Sequence, residues 1–254
     1  MHDVTMARST GAGTGSGRDA KRGRRRGRGA GGVAPPRLPE VELPRLRPYE
    51  ESGLHPDGDY DGLAFTGLDL GGADGAGATF LECGLSGCSL DETVLRQARL
   101  LDTVLDGAFG VGTNLAGAQL RDVELTDARL GGVQLHGAQL LRTLVRGGKI
   151  DFLNLRQSTL TDVTFQDCVL VEPDFGGARL ERVSFAGCAL RQADFSNVTL
   201  RDVDLRDVTE LSFAAGVDRL AGAVISPAQL VDLAPALAAH LGLRIEDGPG
   251  QAGP

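Results

Sequence analysis

From Phe65 to Leu205 a large apolar residue returns at every fifth position without a slip in phase. Of the 29 positions in this series, Leu fills 19 and Phe six, Val145 and Ile150 take one each, and only Gly75 and Gly110 depart. The series two residues earlier, from Leu63 to Val203, is small. Of its 29 members 25 are Ala, Val, Cys, Thr, Ser or Gly, the exceptions being Leu63, Leu68, Leu153 and Pro173. The unit is small–x–large–x–x, as in Ala118-Gln-Leu-Arg-Asp122 and Ala193-Asp-Phe-Ser-Asn197. A period of five fits neither a helix, near 3.6, nor a strand, at 2. A chain that turns a corner every five residues satisfies it. The large residue then points inward from the middle of each side, the small one sits inward near the corner, and the other three face water. Gly recurs two residues after the large one, as tight turns require.

This unit resembles the pentapeptide-repeat family, with consensus A(D/N)LXX, over about residues 63–208. The resemblance implies an all-β fold, a right-handed quadrilateral β-helix with four pentapeptides per coil. It also implies a non-enzymatic role; some relatives in fold are the quinolone-resistance proteins that interact with DNA gyrase. Four units per coil make about seven coils, and at about 4.8 Å per coil the rod is about 35 Å long. Residue i then stacks on i+20. The predicted core holds Leu100, Leu120, Leu140, Leu160 and Leu180 in one ladder, with Phe165 on Phe185 and Phe175 on Phe195. The C-terminal coils are expected to be rich in rings, the N-terminal ones to be filled by Leu.

Outside the repeat the chain divides as follows. Residues 1–40 read as a disordered Arg/Gly-rich tail, since they carry too little apolar surface to offset chain entropy. Residues 41–62 read as an extended lead-in and N-terminal cap, 63–210 as the β-helix, 211–245 as a helical cap or dimerisation element, and 246–254 as a flexible tail. Ser226 before Pro227 marks a helix start, and Gly242 a stop. Pro235 is expected to split or kink this helix. Two roles remain open for it: capping the last coil, or pairing two subunits as a homodimer.

The formal net charge of −8 conceals a division. Residues 1–59 carry 11 basic and 8 acidic groups, for +3, and residues 60–254 carry 15 and 26, for −11. The basic run from Arg18 to Arg28 is either a nucleic-acid arm or a solvated tail. Arg outnumbers Lys heavily, as in high-GC genomes such as those of actinobacteria. No signal peptide or transmembrane run is visible, and a cytoplasmic location is expected.

No catalytic residue, cofactor site or metal site is expected. The four His (2, 55, 136 and 240) fall in no ligand spacing. Cys83, Cys88, Cys168 and Cys188 all occupy the small inward position and read as buried hydrophobes. The function expected is a protein-interaction scaffold of unidentified partner. Its candidate surface is one column of Leu81, Leu101 and Leu141 beside another of Glu82, Asp102 and Asp122. From Asp122 upward the second column alternates in sign through Arg142, Asp162, Arg182 and Asp202. A DNA mimic that binds gyrase or another topoisomerase is the alternative. Gly110, flanked by Phe109 and Val111, and Pro173 mark local faults in the wall.

Overall fold

Every wall of the rod repeats in parallel register at steps of twenty residues. The structure, a computed structural model, describes residues 32–246. The strand Gln119–Thr126 pairs with Arg99–Asp106 on one side and Gln139–Arg146 on the other, placing Leu120 on Leu100 and Leu140, and Leu125 on Leu105 and Val145. These eight-residue strands run through two walls, which we call the first (around Leu120) and the second (around Leu125). Three-residue strands such as Arg129–Gly131 and Lys149–Asp151 build the third wall. Single parallel bridges, Asn114 to Gln134 to Asn154 to Asp174, build the fourth. The result is a four-sided parallel β-solenoid.

The solenoid has about nine turns rather than seven. The extra coils extend beyond the unbroken run, and part of their pairing leaves the five-residue phase. At the start, Arg47–Pro48 pairs with Leu63 and Ala64, a step of sixteen, and Tyr60 lies against Phe80. At the end, Leu211 pairs with Leu190, a step of twenty-one, in a strand Glu210–Ala215 that carries register shifts. Ala223–Val224 adds a last rung on Val203 and Asp204.

All nine predicted core residues are buried, and each Leu or Phe withdrawn from water contributes about 1.5–3 kcal/mol. Rings fill both ends of the axis, not only the C-terminal one. Tyr60 stacks on Phe80 with ring centroids 4.8 Å apart, and Tyr49 lies 4.3 Å from Phe65. At the other end Phe213 packs edge-on against Phe195 at 5.2 Å. Between Phe80 and Phe165 no ring points inward, and the Leu-lined axis there keeps an apolar cavity of about 60 Å³, bordered by Leu115, Leu125 and Val145.

The helix α1 (Pro227–His240) caps the C-terminal end, and it runs unbroken through Pro235. Proline removes the bond to the Val231 carbonyl, and Val231 lies on the exposed side of the helix, where losing that bond costs least. Ser226 and Gln229 form a reciprocal capping box. Gln229 is buried, and its Nε2 donates to the carbonyls of Leu205 (2.7 Å), which also accepts the Val208 N–H, and Val208 (3.1 Å), which the last coil would otherwise leave unpaired. Gly242 (φ +71°) closes the helix, with Leu243 N donating to Ala238 O and Gly242 N to Ala239 O.

Residues 33–46 do not form a loose tail. They lie along the outside of the rod, antiparallel to the growth of the coils. Ala34 N reaches Asp202 Oδ1 (3.5 Å) and Arg37 N reaches Asp162 Oδ1 (3.1 Å), while Leu46 and Leu43 lie over Gly84 at the far end. The expected basic arm, residues 18–28, lies outside the described residues.

Candidate interaction surface

The predicted acidic column sits at the corner between the first and second walls. Asp102, Asp122, Arg142, Asp162, Arg182 and Asp202 all have φ between 48° and 56°, a left-handed conformation that the ladder on either side imposes. Here the alternating signs are paired. Arg142 donates through Nε and Nη2 to the two oxygens of Asp122 (2.6 and 2.5 Å), and Arg182 does the same to Asp162 (2.7 and 2.9 Å). The hydrogen bonds from Arg142 and Arg182 hold these carboxyls below the usual carboxylate range. Asp162 is only 4% exposed. Glu82 remains exposed, Asp102 is partly covered and Asp122 is buried. Leu81, Leu101 and Leu141, beside this column, are half-buried. The strap of residues 33–46 occupies the same corner, so this is a surface the chain covers itself rather than an open face.

The carboxylates and amides of the fourth wall serve its turns. Asp74, Asn114, Asn154, Asp174 and Asp194 each accept a backbone N–H two residues on. Asn154 also donates to Gln134 (2.7 Å), and Asp174 accepts from Arg156 (2.9 Å).

The third wall differs. Gly110 stands where the repeat places a large inward residue, with φ +146°, and a Cβ there would come within 2.6 Å of Asp91 N. The backbone here lies too close to the preceding coil for a side chain. Its neighbours Phe109 (46% exposed) and Val111 (63%) stand outward. One coil on, Arg129 pairs with Phe109 and Gly131 with Val111; the next coil brings Lys149 and Asp151. Phe152, 56% exposed, turns the following corner at φ 54°. A bulky residue in that conformation is unusual, and its ring gains little burial in return. Phe109 and Val111 thus rim a depression floored by Gly131, with two cations, Arg129 and Lys149, in the Phe109 column; Phe152 stands at the corner next to Asp151. Lys149 pairs with Asp151 (2.7 Å), while Arg129 has no ion pair among the described residues. Gly110 and its flanks were visible as a fault in the repeat. Phe152 was missed, although a Phe two residues after the inward Ile150 is out of pattern.

A second exposed apolar face lies on α1, formed by Leu230, Val231 and Leu241. Its opposite face, at Gln229 and Leu233, is buried.

The four cysteines are free and buried. Cys168 and Cys188 are stacked neighbours, with Cys168 N donating to Cys188 Sγ at 3.4 Å. The Cys188 contact and burial push the Cys168 thiol up, and burial does the same to Cys83 and Cys88. Among the described residues no group of three His, Cys, Asp or Glu could hold a metal ion, and no helix is long and apolar enough to cross a membrane.

The chain has no significant match among curated proteins. Solved structures similar to it include HetL, a pentapeptide repeat protein involved in heterocyst differentiation regulation in the cyanobacterium Nostoc sp. strain PCC 7120. That likeness is 22% identical with a TM-score of 0.29, covering 66% of this chain and 90% of that one. Full-length QnrB1, a plasmid-mediated fluoroquinolone resistance protein, is 17% identical with a TM-score of 0.29, over 71% of this chain and 99% of its own. The family model for the pentapeptide repeat region matches residues 78–155 and 158–212, more than half of the sequence. With its unbroken inward ladder and four-sided coils, the chain belongs to the pentapeptide repeat family.

Proposed function

We propose that the rod is a non-enzymatic protein-interaction scaffold whose partner docks on the third wall. The observation that supports this reading is the set of exposed apolar residues on and beside this wall, Phe109 and Val111 around the depression with Arg129 and Lys149, and Phe152 at its next corner. Aromatic residues and Arg are enriched where protein surfaces meet. The test compares proteins cross-linked to the wild-type rod with those cross-linked to a Phe109→Ser, Phe152→Ser variant. A partner captured by both rods equally overturns the reading.

A duplex-DNA mimic acting on gyrase draws on the −11 balance of residues 60–254. It requires an unbroken run of free carboxylates. From Asp122 to Arg182 the corner column is instead neutralised pair by pair, and the fourth wall spends its carboxylates on turns. A supercoiling assay with purified gyrase decides between the two readings: inhibition or protection at micromolar rod favours the mimic. The exposed face of α1 supports pairing of two rods, which sedimentation of the wild type against Val231→Glu tests.

A further inference from the structure

The strap uses the corner between the first and second walls in a way that defines what this corner accepts. Three residues separate Ala34 from Arg37, and two coils separate their acceptors, Asp202 and Asp162. About 10 Å over three residues is the rise of an extended or polyproline II chain. Prolines at 35, 36, 39 and 44 favour that shape and bring no N–H to the wall. The donors at 34 and 37 are the ones the Asp column receives. Between the two anchored ends, Pro39 is buried, and Leu144, which faces outward from the second wall, is only 5% exposed. At the far end, Gly84 leaves the space that Leu46 fills: a Cβ there would lie 2.9 Å from Leu46 Cδ1.

We propose that this corner is a recognition groove for an extended proline-rich segment. Residues 33–46 are its resident occupant, and a proline-rich segment of a partner protein exchanges with them. The groove walls are eight-residue strands held by the ladder. The strap is held by two backbone N–H groups on Asp side chains, one buried proline and the Leu43 and Leu46 side chains over Gly84, and its Leu38 is 55% exposed. A segment with so few contacts opens locally at far less cost than the rod unfolds. Its tether at Arg47–Pro48 gives it a high effective concentration, so a segment in trans competes poorly until the strap is loosened. This groove is separate from the third-wall cluster, and its test does not depend on that reading.

The probe is a fluorescent peptide with the sequence of residues 33–46, titrated by anisotropy into the full-length chain. A full-length Pro39→Asp variant, its strap loosened, is expected to bind the peptide about tenfold tighter than wild type. Adding Leu144→Asp or Asp162→Asn to that variant removes the gain, while Phe109→Ser, Phe152→Ser leaves it intact. Hydrogen exchange on the wild-type chain gives an independent reading: saturating peptide speeds exchange at the Ala34 and Arg37 amides. Equal binding to wild type and Pro39→Asp, equal binding of a peptide in reversed sequence order, or unchanged exchange at those amides overturns the proposal. A concentration-dependent dimer of Pro39→Asp that Leu144→Asp dissolves makes a second copy the occupant and overturns the assignment to a foreign partner.

Discussion

Phe165 lies flat on Phe185 one coil away, with ring centroids 4.9 Å apart and planes 2° from parallel. Such contacts fill the axis of the solenoid wherever a ring points inward. Where Leu and Val145 replace rings, the axis keeps its cavity of about 60 Å³. The two regions therefore respond in opposite directions to substitution. Phe185→Ala opens a void in a packed column and costs about 3–5 kcal/mol. Leu125→Phe places a ring into space already present and raises stability by about 0.5–2 kcal/mol. Urea denaturation of both variants checks the pair of signs; a loss of stability in Leu125→Phe would contradict the axial cavity.

The paired carboxylates make stability fall in acid. Asp122 and Asp162 have folded values depressed below their ordinary 3.8 by hydrogen bonds from Arg142 and Arg182. A depressed acid contributes stability that is fully present above its unfolded value and is lost as pH falls through the folded one. The midpoint of thermal unfolding should thus hold at neutral pH and drop below about pH 4. Asp162→Asn should lower the neutral-pH midpoint and flatten the acid limb. Thermal scans across that range measure both, and an unaltered acid limb in the variant would remove Asp162 as its source.

The thiols should be silent in the folded chain. All four are buried, which shields them from reagent, and burial raises those of Cys83 and Cys88, so these two carry little thiolate at neutral pH. An aromatic disulfide reagent is expected to titrate none of them rapidly in buffer and all four in denaturant. A fast-reacting thiol in the native protein would show that a coil opens locally.

The inward half of this molecule was legible in the sequence, and the outward half was not. Leu120 and Leu140 announce themselves because every inward site makes the same demand for size at a fixed period. Leu211 and Phe213 point inward too, but the strand that carries them shifts register twice, pairing Leu211 with Leu190 at a step of twenty-one and Phe213 with Ala193 at twenty, so a strict step of five misses both. The strap was hidden for a different reason. Ala34 and Arg37 bind through backbone N–H groups, and the prolines between them exclude the periodic pattern from which a packed segment is read. The periodic pattern therefore gives no sign that the lead-in reaches the Asp162 and Asp202 corner. Phe109 and Val111 stood out only because Gly110 broke the rule beside them.

Gln229 was equally invisible as a core residue, because a glutamine three residues into a helix reads as part of a capping box and no more. Its side chain performs two tasks at once. Oε1 accepts the N–H of Ser226 (2.8 Å), and Nε2 donates to the carbonyls of Leu205 and Val208. Gln229→Leu keeps the volume and the apolar contact of α1 with the last coil, yet leaves the Val208 carbonyl and the Ser226 N–H unpaired, at about 1–3 kcal/mol for each group left so, while the Leu205 carbonyl keeps only the Val208 N–H. Ser226→Ala removes only the side-chain cap, at about 0.5–2 kcal/mol. If α1 serves chiefly to close the rod, Gln229→Leu should destabilise the whole solenoid more than Ser226→Ala, with amide exchange accelerating in the strands Thr199–Asp204 and Glu210–Ala215 before the rest. If both variants lose helix signal alone, with exchange in those strands unchanged, α1 is an appendage and the last coil closes without it.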